Sequence, residues 1–149
     1  MQVKDIMTTQ VITVVPETTI EKVALLLAEH HITGMPVVDA SHKLLGLVTE
    51  RNFLVSGQQV YLPTALELFK NSTETINLQI QELLATPVKD IMVSSVATIS
   101  PDTELAAAAR VFAVKQVNPL PVVDQNGIVV GILSRSDLIK LLTSKRIVI

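Results

Sequence analysis

The pentapeptide Val-Lys-Asp-Ile-Met is written twice in this chain, at Val3–Met7 and again at Val88–Met92. At that offset of 85 residues, the separation of Val3 from Val88, the segment Val3–Leu54 aligns with Val88–Ile139 without a gap. Thr13 falls on Thr98, Pro16 on Pro101, Thr18 on Thr103 and Gly46 on Gly131. Self-similarity at a fixed period means one supersecondary unit used twice, and a unit of about 50 residues buries too little surface to be stable alone. The two copies are therefore expected to share a sheet-to-sheet interface within one pseudo-symmetric domain.

Each copy reads β-α-β-β-α, which places the fold in the mixed α/β (α+β) class. A short extended segment, Val11–Val15 or Val96–Ser100, is closed by Pro16 or Pro101. A helix follows. In the first copy Thr18-Thr19-Ile20-Glu21 reads as a capping box, with Ile20, Val23, Ala24, Leu27, Ala28 and His31 on one helical face. The second copy puts Leu105, Ala108, Ala109, Phe112, Ala113 and Gln116 in the same register, with Thr103 as the expected N-cap. Pro36 and Pro121 then open short strands, where a missing N–H is tolerated. Asn126-Gly127 between β-branched runs predicts a hairpin with a type I′ turn, which needs positive φ at both positions.

The expected boundaries are a first repeat over 1–54, an insert over 55–87, a second repeat over 88–143 and a tail over 144–149. Within the insert, Thr64-x-x-Glu67 after Pro63 predicts one short helix. Thr75–Leu84 predicts another, with Ile76, Ile80, Leu83 and Leu84 inward. That apolar content suits a segment covering the domain or a dimer partner better than a flexible tether.

Twelve basic and fourteen acidic side chains leave a formal charge of −2, without the concentrated positive field that a phosphate backbone demands. Aromatic residues make up 3%, too few for a base-stacking platform, so nucleic acid is not an expected partner. There is no cysteine, which excludes disulfides, thiolate metal sites and thiol nucleophiles. No apolar run approaches a membrane span, and Met-Gln-Val-Lys-Asp at the start lacks an apolar signal-peptide region. A cytoplasmic protein with no membrane partner is expected.

Two constellations could carry chemistry, Gly46-x-x-Thr49-x-x-Asn52 and Gly131-x-x-Ser134-x-x-Asp137. Ser or Thr followed three residues later by Asp or Asn is an ordinary helix N-terminus, and the glycine could simply allow close packing. The same residues also make an anion site, because a hydroxyl, exposed backbone N–H groups and Arg135 converge at a helix start. An ionised Asp137 accepts hydrogen bonds only, which suits the two hydroxyls of a ribose. Both readings stand on spacing alone. His30-His31 at a helix end complements the helix dipole and has no further ligands spaced for a metal, while His42 falls in an exposed turn. Lys145-Arg146 in the tail carry no assigned role. No Ser–His–Asp arrangement, phosphate loop or paired carboxylates suggest catalysis.

Asp-Ile-Met, a Thr before a Pro, a helix, Pro-Val-Val-Asp and Gly-x-x-Ser/Thr-x-x-Asp/Asn occur in that order twice. In this the chain resembles a tandem pair of cystathionine-beta-synthase (CBS) domains, the arrangement called a Bateman module. The resemblance covers both repeats. It implies a regulatory module without catalysis, binding AMP, ADP, ATP or S-adenosylmethionine in two clefts between the repeats. It also implies a homodimer whose state is read by an effector protein, or, as the alternative, a ligand-free dimerisation or scaffold module.

Carried over residue by residue, the resemblance implies a stronger cleft formed by Ile132, Ser134, Arg135, Ser136 and Asp137 with Asn118 and Pro119. From the first repeat that cleft would take Thr8, Thr13, Ile32, Thr33, Gly34 and Met35. The symmetric cleft would use Leu47, Thr49, Arg51 and Asn52, with Thr33 and Gly34, facing Val93, Thr98, Val117, Asn118, Pro119 and Leu120. Here Asn52 stands in place of the ribose-binding aspartate, so a charge-assisted contact becomes a neutral one of roughly half the strength. A weaker second cleft is the consequence.

Overall fold

The structure, a computed structural model, describes residues 1–54 and 74–146. Each repeat supplies a helix, a two-stranded antiparallel hairpin and a second helix after it. In the first these are α1 (Ile20–His30), β1 (Gly34–Val38) and β2 (Leu44–Thr49), followed by the short α2 (Glu50–Leu54). After α3 (Glu74–Leu84), the second repeat gives α4 (Leu105–Lys115), β3 (Leu120–Val123), β4 (Val129–Leu133) and α5 (Arg135–Arg146). The extended segments before Pro16 and Pro101 add one parallel bridge each, Val14 to Val37 and Ile99 to Val122. The helix expected around Pro63–Phe69 lies outside the described residues. The one expected over Thr75–Leu84 is α3, with Ile80 buried and Leu83 packed on the first core.

The helices start later than the threonine pattern predicts. Thr18 Oγ1 accepts from Val15 N–H at 3.2 Å, and Thr103 Oγ1 accepts from Ser100 N–H at 3.2 Å. Both hydroxyls are committed to the turn leaving the extended segment. The cap of α1 is consequently Thr19, whose Oγ1 accepts from Lys22 N–H at 3.3 Å. Glu104 takes that position before α4 without a side-chain cap. Ile20, Val23 and Leu27 are buried along α1, as are Ala108 and Phe112 along α4. Ala24, Ala28, Ala109 and Ala113 are exposed, so the buried stripe is narrower than the apolar one.

The hairpin turns are set by aspartate. Asp124 Oδ1 accepts from Asn126 N–H at 2.8 Å and from Ile128 N–H at 3.0 Å, while Gly127 N–H reaches Asp124 O at 3.1 Å. Gly127 has φ +79° but Asn126 does not share the left-handed region, so the expected type I′ turn is replaced by one built on the Asp124 side chain. In the first repeat Asp39 Oδ1 accepts from Ser41 and Lys43 N–H at 2.9 Å each, and His42, at φ +67°, occupies the place of Gly127. An L-residue there is strained by about 1–2 kcal/mol. Gly127→Ala is expected to lower unfolding free energy by that amount, about 1–2 kcal/mol in a urea titration. A Cβ there meets Lys43 only at ordinary distance, leaving conformation as the sole cause.

The repeats exchange their opening segments. Val3 is buried in the core of the second repeat, with Ile6 and Met7 packed against it, whereas Val88, Ile91 and Met92 complete the core of the first. Backbone bridges fix the exchange: Thr8 pairs with Ile132 and Val93 with Leu47. Lys4 Nζ adds an exposed ion pair to Asp102 at 2.9 Å, which raises the lysine pKa through that hydrogen bond and charge. Two pairs of equivalent positions touch each other. Lys43 bridges to Ile128 at the hairpin tips, and Gly34 lies so close to Pro119 that a Cβ on it would stand 2.8 Å from Pro119 Cδ. Both pairs obey the 85-residue offset, so the pseudo-two-fold axis passes through them.

Candidate functional site

Two clefts flank that axis, each opening where a hairpin's second strand runs into a helix. At the start of α5, Ser134 and Asp137 form a reciprocal cap. Asp137 Oδ2 accepts from Ser134 N–H at 2.8 Å, and Ser134 Oγ accepts from Asp137 N–H at 3.3 Å. This is the helix-terminus reading of the motif, realised in full. It leaves Asp137 Oδ1 without a hydrogen bond among the described residues. The carboxylate thus holds its helix with one oxygen and presents the other. Ser134 Oγ also lies 2.7 Å from Ser136 Oγ. Asn118 Oδ1 accepts from Arg135 N–H at 2.9 Å, tying the loop before β3 to the helix start.

The cleft beside Asp137 has a volume of about 460 Å³. Of the positions expected there, Ile132, Ser134, Ser136, Asp137, Asn118 and Pro119 line it from the second repeat. Thr8, Ile32, Thr33 and Gly34 line it from the first. Three expected positions do not. Met35 is fully buried in the first core, because every position of β1 is covered. Thr13 lines neither cleft. Arg135 is exposed and lines the opposite cleft, since adjacent residues of a helix turn point about 100° apart.

Sequence reasoning missed Gln10, Val11, Ile12, His30, His31 and Lys140 in this lining. Lys140 was within reach, for it follows Asp137 by three positions on the same helix face. His30 and His31 arrive through the end of α1, where His31 adopts φ +52° and turns the chain directly into β1. No group of three or more metal-ligating side chains is gathered among the described residues.

The second cleft, of about 610 Å³, is lined by Leu47, Thr49, Arg51, Asn52, Val93 and Val117, as expected, and shares Thr33 and Asn118 with the first. Leu120 is fully buried in the second core, Thr98 lies in a separate hollow beside Asp102 and Asp124, and Gly34 and Pro119 line the first cleft; none of these four expected positions lines the second. Glu50, Ser95, Val96, Ala97, Lys115 and Gln116 join it without a sequence signal other than the repeat itself. Asn52 Oδ1 accepts from both Thr49 N–H, at 2.8 Å, and Thr49 Oγ1–H, at 3.3 Å. What Asn52 has left to offer is its amide N–H donors, the reverse of Asp137.

The sequence profile of the CBS domain matches residues 3–56 and 88–144. The chain belongs to the CBS domain family. Among similar CBS proteins is YhcV of Bacillus subtilis, 33% identical over 136 residues, spanning 91% of this chain and 81% of that protein. Protein MJ1426 of Methanocaldococcus jannaschii is 30% identical over 155 residues, which cover 95% of this chain and 91% of that one. The structure of CBSX2, a CBS-pair protein of Arabidopsis thaliana, in complex with AMP superimposes with a TM-score of 0.73 at 28% identity, covering 97% of this chain and 98% of that one. The CBS domain pair of protein MJ0100, in complex with 5'-methylthioadenosine and S-adenosylmethionine, also superimposes at 0.73, with 25% identity and coverages of 97% and 98%. CBS domain pairs are generally regulatory. Among the described residues no helix is long and apolar enough to cross a membrane.

Proposed function

We propose that this CBS pair is a non-catalytic sensor of adenosine-containing ligands, of the AMP, ADP, ATP or S-adenosylmethionine type. The free Oδ1 of Asp137 carries the reading. It stands in a cleft whose other lining residues include Val11, Ile12, Ile32 and Ile132, so a carboxylate acceptor meets apolar walls of the kind a ribose and its base require. The adenosine moiety common to AMP, 5'-methylthioadenosine and S-adenosylmethionine in the neighbouring structures supports the same ligand class. Occupancy changes the packing of the repeats and of a second copy, and an effector protein reads the change. The response can be no larger than the ligand's differential affinity for the two packings.

The test is calorimetric titration of the full chain with AMP. Asp137→Ala removes both the acceptor and the helix cap, so it is paired with Asp137→Asn, which keeps an oxygen for Ser134 N–H. Both variants are expected to bind AMP at least about tenfold more weakly, as befits a lost charge-assisted contact. Asp137→Ala is also expected to lose about 1 kcal/mol of stability through the cap, and Asp137→Asn much less. Wild-type affinity in both variants would show that Asp137 does not hold the ligand. The second reading, a ligand-free dimerisation module, is favoured by the exposed apolar side chains Leu25, Val114, Ile139 and Leu142. An intact dimer indifferent to every adenosine ligand would establish it.

A further inference from the structure

The internal repeat makes the two clefts directly comparable, and their linings differ in net charge. Position 137 is aspartate and its equivalent 52 is asparagine; Ser136 corresponds to Arg51, and His30 to Lys115. Each replacement makes the second cleft more positive. Arg135 adds to this by pointing across the axis, so the cleft collects Arg51, Lys115 and Arg135 against Glu50 alone. The Asp137 cleft, by contrast, sets Lys140 against Asp137. The first cleft pairs one cation with one carboxylate, whereas the second, about 610 Å³ in volume, sets three cations against one carboxylate.

We infer that the Asn52 cleft receives an oligophosphate chain, while the Asp137 cleft takes an adenosine ligand of low charge. The assignment rests, for its adenosine part, on the sensor reading above. It accounts for the exchange of aspartate for asparagine as something other than decay of a site. A carboxylate with a free oxygen would repel a polyphosphate, whereas the Asn52 amide N–H groups donate to one, as do the guanidinium groups of Arg51 and Arg135. Thr33 and Asn118 border both clefts, so an oligophosphate in one and a nucleoside in the other would press on the same two residues from opposite sides.

The experiment titrates the full chain with AMP, ATP and inorganic tripolyphosphate, at low and at physiological salt, in wild type and in the double variant Arg51→Ser, Arg135→Ser. Both arginines are exposed, and the Arg135 tether to Asn118 uses backbone N–H, so folding does not depend on either side chain. Tripolyphosphate is expected to bind one site for which ATP competes, and to lose at least about tenfold in affinity in the double variant, with salt weakening it more than AMP. AMP binding is expected to respond to Asp137→Asn and not to the arginine changes. Wild-type affinity of the double variant for ATP and tripolyphosphate would overturn the assignment, as would loss of ATP through Asp137→Asn alone. If AMP gave no heat while tripolyphosphate still bound through the arginines, the sensor reading would fail and the oligophosphate site would stand.

Discussion

Val3→Asp is expected to unfold the second repeat, although Val3 belongs by sequence to the first. The side chain is completely buried among Leu120, Val122, Leu133 and Phe112. An aspartate there meets no cation and no donor, and an unpaired charge in such a core destabilises by about 3–5 kcal/mol or more, a large part of a small domain's total stability. Val88→Asp is expected to do the same to the first repeat, whose core holds Val88 beside Val23, Met35 and Val48. Hydrogen exchange read by position separates these outcomes. In Val3→Asp the amides of Leu120–Leu133 lose protection before those of Gly34–Val38, and in Val88→Asp the order reverses. Fraying confined to residues 1–8 in Val3→Asp would show that the segment is an ornament of the second core and not part of it.

Gly46→Ala is expected to be the more damaging of two equivalent glycine changes. A Cβ at Gly46 would stand 2.7 Å from Met92 Sδ and 2.8 Å from the carbonyl oxygen of Val93. The sulfur can swing away, but the carbonyl is held by the bridge in which Leu47 and Val93 exchange hydrogen bonds of 2.9 Å each. Backbone must move, at about 2–4 kcal/mol for an overpacked site. At Gly131 the three atoms nearest the same Cβ all belong to the side chain of Met7, which is unbranched and can repack, so about 1 kcal/mol is expected. Urea midpoints of the two variants rank them directly. Equal or inverted losses would mean that Met7 is as immobile as a backbone carbonyl.

These glycines also show why much of the architecture could be read from the sequence. The pentapeptide ending in Met7 and Met92 and the glycine opening each Gly-x-x-Ser/Thr motif are the two most recognisable marks of the repeat. The fold presses each methionine onto the other repeat's glycine. Their recurrence was visible, but their partnership across the repeats was not, because nothing local in sequence distinguishes packing on one's own repeat from packing on its twin. Turn chemistry failed in a similar way: Asn126-Gly127 marked where the hairpin turns, while the Asp124 carboxylate decided how. At the clefts, positions on the helix-start motif were legible through spacing. Lys115 and His30 were not, since they reach the clefts only because a left-handed residue, Gln116 or His31, bends each helix end toward its strand.

The exchange of opening segments carries a consequence for how the chain is made. A ribosome adds roughly 5–20 residues per second, so the stretch from Leu54 to Met92 takes roughly 2–8 s to synthesise. Until it emerges, the first repeat has its helix and hairpin but lacks Val88 and Ile91, leaving Met35, Val37 and Val48 uncovered. The reverse holds for Val3, which waits until the chain has grown as far as Leu120 and Leu133. Neither half can ripen ahead of its sibling, and a gene truncated between them would yield a nascent chain with an open apolar face, fit for chaperones and proteases and for little else.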